Sequence, residues 1–192
     1  MKSYELTAYP KPMALSDGRE VVIRTLAAAD ADALLRFFLG LPEPERYFLK
    51  DDVTSPGLIA SWAEHHDYAR VLPLVAVSGD AIVADAVLIR RRHGAYRDVA
   101  SVRVAVAPAF RERGLGTALL RELCDIAADA ELERVTAEFV AGVQDDAIAA
   151  AEHLGFIRAA TVHELLRDEH RRPHDLVILM LPLGKWYQWA RF

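Results

Sequence analysis

The stretch VRVAVAPAFRERGLGTALL, residues 102–120, decides how this chain folds. It begins with an apolar run typical of a strand, continues with a short turn that holds two arginines and two glycines, and ends with the first turn of an apolar helix. The first four N–H groups of a helix have no partner inside the helix, and the aligned peptide dipoles leave about half a positive charge at that end. The stretch therefore predicts a strand–turn–helix unit that binds an anion, and phosphate or diphosphate suits such a helix end.

Four residues of the turn carry this prediction. Gly114 and Gly116 lack a Cβ, so an anion oxygen can approach the backbone closely and unusual dihedral angles are tolerated. Arg111 and Arg113 add guanidinium groups that bind phosphate through a planar fork of N–H donors. We expect Arg111 to contact phosphate rather than to be an ordinary surface residue.

Two common phosphate-binding motifs do not match the turn. A loop of the G-x-x-x-x-G-K-[ST] type requires a lysine where Thr117 stands. A dinucleotide fingerprint G-x-G-x-x-G requires glycine or alanine at Leu119, and it requires a tight strand–glycine junction where residues 111–113 stand. The turn therefore belongs to another class of anion-binding loop.

The spacing Arg111-x-x-Gly114-x-Gly116, after a strand that ends in Val-x-Val, resembles the acetyl-CoA loop of the GNAT acetyltransferase superfamily. Residues 144–156, QDDAIAAAEHLGF, are similar to the second signature of that family, a helix that closes in Leu-Gly-Phe. Residues 21–26, VVIRTL, with the amphipathic helix that follows them, resemble its opening strand and helix.

The resemblance covers roughly residues 18 to 183 and implies a single-domain α/β (α+β) fold. In that fold a mixed, mostly antiparallel central sheet contains one splayed parallel strand pair, and helices cover both faces. We assign residues 1–17 to an N-terminal arm, 18–183 to the acetyltransferase domain and 184–192 to an aromatic C-terminal tail.

Periodicity and turn residues predict the same order of elements. We expect an irregular strand within 6–16, strands at 21–25, 74–77, 82–89, 99–106, 135–140, 157–166 and 176–183, and helices at 30–39, 56–68, 145–153 and from the glycines to about residue 130. Pro42 and Pro44 are expected to end the first helix, and residues 168–175 to form a charged turn. The strands on either side of the helix after the glycines should be parallel.

Composition sets the outer limits. The chain has 192 residues, of which 53% are hydrophobic, so it can bury one good core and is expected to form one domain. Its net charge of −5 argues against a nucleic-acid surface, and its single cysteine fits a reducing compartment. Residues 1–10 lack the apolar segment of a signal peptide, and the apolar run 177–183 is too short to span a bilayer. We expect a cytoplasmic protein that binds neither nucleic acid nor membrane.

The resemblance implies acetyl transfer from acetyl-CoA, as co-substrate, to an amine that attacks the thioester directly in a ternary complex. Backbone N–H groups around Val104 to Val106 would polarise the thioester carbonyl. The predicted cofactor-binding residues are Val104, Val106, Arg111, Glu112, Arg113, Gly114, Gly116, Thr117 and Gln144. A thioester is already activated and needs no protein nucleophile, so Cys124 is predicted to be a small buried hydrophobic residue.

The usual acid and base of the family are missing. Many members carry a glutamate where Ala100 and Ser101 stand, and a tyrosine where Ala151 stands. We therefore predict Glu138 as the general base, because it lies on the strand that faces the loop strand. A solvated or arginine-paired carboxylate is the more common role for such a residue. Asp98 is a weaker candidate for the base, and a water relay is a further alternative.

No metal site is predicted. The sequence His65-His66-Asp67 and the pair His170 and His174 do not complete the four ligands of a zinc site, so a helix surface and a hairpin turn are expected there. The aromatic tail is expected to pack on the core or to form a homodimer interface; its aromatic residues are Trp186, Tyr187, Trp189 and Phe192.

The acceptor, a small-molecule or protein amine, cannot be read from the sequence. We expect its site between the first two helices and the final strand pair, and the candidate residues are Phe38, Tyr47, Asp51, Asp52 and Trp62. The predicted function is an N-acetyltransferase. The alternative is a non-catalytic acyl-CoA-binding regulatory module, which the missing glutamate and tyrosine favour slightly, and a scaffold without cofactor is a third possibility.

Overall fold

The computed structural model describes residues 6, 8–64 and 67–184. The elements within these residues, in chain order, are β1 (Lys11–Ala14), β2 (Glu20–Thr25), α1 (Ala31–Leu39), α2 (Glu43–Tyr47), α3 (Pro56–Glu64), β3 (Val71–Ser78), β4 (Ala81–Arg90), β5 (Val99–Val106), α4 (Leu115–Asp129), β6 (Arg134–Val140), α5 (Asp145–His153), β7 (Ile157–Arg167) and β8 (Pro173–Pro182). Single turns of 3₁₀ helix precede α1, β5 and the loop before α4.

The strands form one sheet in the order β1-β2-β3-β4-β5-β6-β8-β7. All neighbouring strands run antiparallel except β5 and β6, which are parallel. The helix α4 connects these two strands, because a parallel pair requires a crossover that returns the chain to the same end of the sheet. The predicted mixed sheet with one parallel pair is confirmed.

Helices cover both faces of the sheet, as predicted. On one face α4 packs through Leu115, Leu119 and Leu123, which recur every four residues and are almost completely buried. On the other face α1 and α3 bury Phe38 and Ile59 in a second cluster. Each such side chain contributes about 2 kcal/mol to folding by leaving water. The central strand β4 is buried over most of its length because both of its faces are covered.

Some predicted boundaries are wrong. Pro42 and Pro44 do end α1, but they also begin α2, because the fixed φ of proline suits the first turn of a helix. The helix predicted to reach Tyr68 does not do so, since residues 67 and 68 lie outside any helix. The last turn is also shorter than predicted, because β7 continues to Arg167 and β8 already begins at Pro173.

The two ends of the chain differ in what the structure describes. Within the predicted N-terminal arm, β1 pairs with β2 as an edge strand of the sheet. The aromatic residues of the predicted tail lie outside the described residues, as do His65 and His66. Among the helices of the described ranges, none has the length and apolar character needed to span a membrane.

Candidate active site

The parallel strands β5 and β6 separate part of the way along their length. They pair only from Val99 to Val102 on β5 and from Arg134 to Ala137 on β6. Beyond these residues β5 continues to Val106 beside β4, and β6 continues to Val140 beside β8. Successive N–H groups of a strand point to alternate sides, so β5 presents backbone groups to this opening. We call this feature the β5–β6 opening.

The loop of residues 111–114 leads from β5 into α4 at the wide end of this opening. Glu112 and Gly114 both adopt the left-handed conformation, with φ of 57° and 81°. Within the described part of the chain, no protein acceptor is found for the backbone N–H groups of residues 112–117. A run of such N–H groups at a turn and a helix N-terminus forms an anion-binding concavity. A Cβ added at Gly114 would meet no atom within 4 Å, so the space above the loop is open.

The guanidinium of Arg111 is hydrogen-bonded to other residues of the protein. Its Nε donates to the carbonyl oxygen of Val106 at 2.9 Å, and its two terminal nitrogens donate to Glu45 of α2 at 2.8 and 2.6 Å. This two-point ion pair keeps the guanidinium beside the loop. An incoming anion would compete with Glu45 for Arg111.

Arg113 is held in a similar way by the turn between β1 and β2. Its Nε donates to the carboxylate of Asp17, and one terminal nitrogen donates to the carbonyl oxygen of Arg111 at 2.6 Å. Asp17 also accepts a hydrogen bond of 2.8 Å from Arg19, whose guanidinium stacks over Phe110. The N-terminal hairpin therefore braces the loop from outside.

The other predicted cofactor-binding residues lie around the same opening. Thr117 is the third residue of α4, and Val104 and Val106 pack their side chains against the core on the α4 face. Gln144 precedes α5, and its side-chain oxygen accepts the backbone N–H of Val140 at the end of β6, at 2.8 Å. The structure thus places these residues along β5, in the first turn of α4 and beside the end of β6.

The predicted base Glu138 lies on β6 beyond the last pair with β5. Its carboxylate is 40% exposed and accepts a hydrogen bond of 2.7 Å from Lys50. Asp98, the weaker candidate, pairs with Arg97 at 3.1 Å before β5 begins. Cys124 is buried on α4, and burial raises the pKa of its thiol to about 12, so it is not a reactive thiolate.

A cavity of about 220 Å³ lies between the sheet and the helices α1 and α3. Of the predicted acceptor-facing residues, Asp51 and Trp62 line it, whereas Phe38 is buried and packs edge-on against the ring of Trp62. Tyr47 is 53% exposed, and Asp52 accepts hydrogen bonds from the hydroxyl and backbone N–H of Thr54 within the loop before α3. The full lining is Leu26, Leu34, Asp51, Trp62, Val71, Pro73, Asp85, Val87, Ile89 and Arg103.

Two charged residues of this cavity were missed by the sequence analysis. Asp85 lies in the middle of β4 and is only 3% exposed. Arg103 is the first residue of β5 beyond the pairing with β6; it donates to Asp51 at 3.3 Å, and its guanidinium lies 5.6 Å from the ring centre of Trp62. The signal available for Asp85 was a single carboxylate within the otherwise apolar run of residues 81–89.

The histidines of the β7–β8 turn form local contacts. The ring of His174 packs edge-on against Phe48 with 5.2 Å between ring centres, and its Nε2 lies 3.5 Å from Asp168. A search of the described residues for three or more His, Cys, Asp or Glu side chains placed to hold a metal ion finds none.

The comparisons with known proteins agree with this geometry. The model of the acetyltransferase (GNAT) family matches residues 35–156, which is more than half of the chain. The chain therefore belongs to the GNAT acetyltransferase family. A search of curated proteins finds no significant match.

Solved structures of the same fold are numerous. The GNAT domain of S. lividans PAT matches with a TM-score of 0.73 and 21% identity, over 90% of this chain and 96% of that one. A ribosomal-protein-alanine N-acetyltransferase from Brucella melitensis matches with a TM-score of 0.73 and 24% identity, over 83% and 98% of the two chains. The yncA protein of Salmonella typhimurium, solved with its cofactor acetyl-CoA, gives 0.70 and 21%, over 86% and 95%. At these identities the likeness establishes the fold.

Proposed function

We propose that the protein is an N-acetyltransferase that transfers an acetyl group from acetyl-CoA to an amine by direct attack in a ternary complex. The observation that carries the proposal is the run of backbone N–H groups at residues 112–117, at the wide end of the β5–β6 opening, for which the described residues offer no acceptor. A diphosphate offers the acceptors that these donors lack. Family membership and the acetyl-CoA bound to the yncA protein support the same choice of donor.

The residues present fit this co-substrate. The loop and the first turn of α4 would hold the diphosphate, with Arg111 and Arg113 at its sides, and the backbone of β5 from Arg103 to Val106 would face the thioester arm. Acetyl-CoA supplies an activated thioester. A backbone N–H of β5 aimed at the thioester carbonyl oxygen would stabilise the negative charge that develops there, and such a donor is typically worth about 3 kcal/mol.

The test is acceptor-dependent release of thiol. Purified protein is mixed with acetyl-CoA and a panel of amines, and free CoA thiol is followed against a reaction without amine. Thiol release that requires both the protein and one of the amines supports the enzyme. Tight binding of acetyl-CoA without release for any amine would instead identify the non-catalytic acyl-CoA-binding module.

Binding of the carrier has a thermodynamic consequence of its own. At a CoA concentration one hundred times its dissociation constant, we expect the free energy of unfolding to rise by about 2.7 kcal/mol. Thermal unfolding followed with and without CoA measures this shift. A scaffold that uses no cofactor would unfold at the same temperature in both samples.

The ion pair between Arg111 and Glu45 yields a second prediction. The variant Glu45→Gln should bind CoA about threefold to tenfold more tightly, because a partly exposed ion pair is worth about 1 kcal/mol and would no longer compete for Arg111. Titration calorimetry measures the affinity. The matched control is Glu43→Gln, two residues earlier in α2, which removes the same charge from an exposed position without touching Arg111. Equal affinities for CoA in the two variants would show that Arg111 does not contact CoA.

The remaining expectations about partners and location belong to the same proposal. The acceptor is a small-molecule or protein amine, and neither nucleic acid nor membrane is a partner, which the net charge of −5 supports. Association into a homodimer through the aromatic tail and a cytoplasmic location complete the proposal.

A further inference from the structure

The cavity under α1 and α3 contains a buried carboxylate, Asp85, that has no hydrogen-bond partner among the described residues. Asp85 accepts no hydrogen bond from any residue in the described ranges, although it is 97% buried and lines the cavity wall. A buried polar group without a hydrogen bond is unfavourable by about 1–3 kcal/mol, so a native chain rarely keeps one without a reason. A ligand that donates hydrogen bonds inside this cavity would supply the missing partner.

The position of Asp85 places the carboxylate near the proposed reaction. Asp85 is opposite Ala105 of β5 in the sheet register, and strands in a sheet lie about 4.8 Å apart. Ala105 belongs to the part of β5 that borders the β5–β6 opening, beyond the last pair with β6 at Val102. The cavity is therefore only one strand away from the opening proposed for the thioester arm.

We infer that this cavity binds the acceptor, a small primary amine with an apolar body and no carboxylate, and that Asp85 receives a proton from the amine nitrogen. This inference rests on the proposed acetyl transfer. The inference rests on one juxtaposition: a buried carboxylate that accepts no hydrogen bond from the described residues lies beside the edge of β5 that borders the opening.

The lining determines the class of acceptor. The charged groups that line the cavity are Asp85 from β4, Arg103 from β5 and Asp51 from the loop before α3, while the described lining residues of β3, α1 and α3 are uncharged. When both carboxylates are ionised this set has a net charge of −1, which favours a cation. The rest of the wall is aliphatic, apart from the ring of Trp62. A volume of about 220 Å³ suits a phenyl or branched alkyl group, since an apolar cavity of about 150 Å³ accommodates benzene.

The reaction starts from a protonated primary amine bound in the cavity. The ammonium group gives one proton to the Asp85 carboxylate, and its lone pair then forms the C–N bond to the thioester carbonyl carbon as the C–S bond breaks. A second proton from the nitrogen passes to the departing sulfur, leaving a neutral amide and a thiol. Asp85 returns its proton to solvent. An alkylamine with a pKa near that of lysine, about 10.4, is neutral in only about one molecule in two thousand at pH 7, so this step is needed.

Burial supports this role for Asp85. Removal from water raises the pKa of the Asp85 carboxyl to about 6, and the positive charge of Arg103 opposes part of that rise. A base is most effective when its pKa lies near the working pH. The acetylation rate should therefore fall as the pH drops below about 6, because Asp85 becomes protonated.

The decisive variant is Asp85→Asn, assayed with acetyl-CoA and 2-phenylethylamine or isoamylamine over pH 5 to 9. We expect kcat/KM at pH 7 to fall by about 10² to 10⁴, the pH-independent rate above about pH 6 to be replaced by one that rises with the neutral fraction of the amine, and the affinity for acetyl-CoA, measured by calorimetry, to stay unchanged. The matched control is Asp80→Asn, which removes an exposed carboxylate from the turn of the same β3–β4 hairpin and should change none of the three quantities. Circular dichroism confirms that both variants are folded.

The outcomes separate this inference from the proposed function. If the parent protein binds no acetyl-CoA and releases no thiol with any amine, the proposed function fails. If it acetylates amines but Asp85→Asn retains the parent rate and pH profile, the inference alone fails. If Glu138→Gln shows this changed pH profile and Asp85→Asn does not, the base is Glu138 and the inference is overturned.

The inferred class of acceptor is tested by comparing amines with the corresponding amino acids as substrates of the parent protein. We expect 2-phenylethylamine and isoamylamine to be acetylated with kcat/KM at least about tenfold above phenylalanine and leucine, which differ from them by a carboxylate. Tenfold corresponds to about 1.4 kcal/mol, which is small for a negative charge added beside Asp51 and Asp85, since Arg103 is already paired with Asp51. Equal rates, or a preference for the amino acids, would overturn this part of the inference.

Discussion

Replacing Gly116 with glutamate is expected to weaken acetyl-CoA binding by at least about a hundredfold while leaving the fold intact. Gly116 is the second residue of α4 and lies within the run of N–H groups, residues 112–117, that find no acceptor among the described residues. A glutamate there places bulk and negative charge where the diphosphate would lie, and like charges at close range repel by several kcal/mol outside bulk water. The helix itself should tolerate the change, because an acidic residue in its first turn is favourable.

The matched control for this variant is Gly116→Ala. A Cβ at this position would lie 3.5 Å from Cγ2 of Val106, which is an ordinary van der Waals contact. We therefore expect alanine to retain affinity within a few-fold and to unfold at nearly the same temperature. Calorimetric titration with acetyl-CoA measures both variants. Unchanged affinity in Gly116→Glu would show that the carrier binds elsewhere, and the proposed function would lose its main support.

Replacing Asp85 with asparagine is expected to make the protein more stable at neutral pH, even as it removes activity. The folded-state pKa of about 6 lies above the ordinary value of 3.8, so the folded state binds this proton more tightly than the unfolded state. The contribution of Asp85 to stability therefore falls as the pH rises from about 4 to about 6, and stays low above that range. The full effect is about 3 kcal/mol, and burial of the asparagine amide reduces the expected gain to about 1–3 kcal/mol.

Urea unfolding of both proteins at pH 5 and pH 8 measures this effect. The advantage of Asp85→Asn should be larger at pH 8, where the parent carboxylate is ionised in both the folded and the unfolded state. A variant that is less stable than the parent at pH 8 would show that the Asp85 carboxylate stabilises the fold. A residue that serves function often lowers the stability of the protein, so replacing it raises the free energy of unfolding.

Much of the fold could be predicted because the local preferences of the sequence for helix, strand and turn agree with the tertiary structure. The strand at 99–106 and the helix at 145–153 have the bounds that the sequence predicts. In the first, an apolar run ends at a proline, and in the second an acidic first turn is followed by Gly155, which adopts φ of 95° after the helix. The parallel pair followed from the helix between its strands.

The parts that were missed depend on contacts distant in sequence. The pairing of Glu45 with Arg111 joins residues 66 positions apart, and no local pattern indicates it. The helix α2 was missed because the prolines at its start are equally typical of the end of a helix. Asp85 belongs to no motif, and only its burial among apolar neighbours distinguishes it. Sequence patterns thus indicated the loop that we propose for the acyl donor, whereas the cavity that we propose for the acceptor became visible only in the tertiary structure.

The β5–β6 opening has an evolutionary consequence. Main-chain atoms are the same for every amino acid, so a thioester site built from them survives extensive substitution of side chains. The acceptor cavity, by contrast, is formed by side chains and changes with each replacement. A single architecture can therefore keep one acyl donor while its acceptors diversify. The fold itself persists at 21–24% identity between this chain and the structures compared above, with TM-scores of 0.70–0.73.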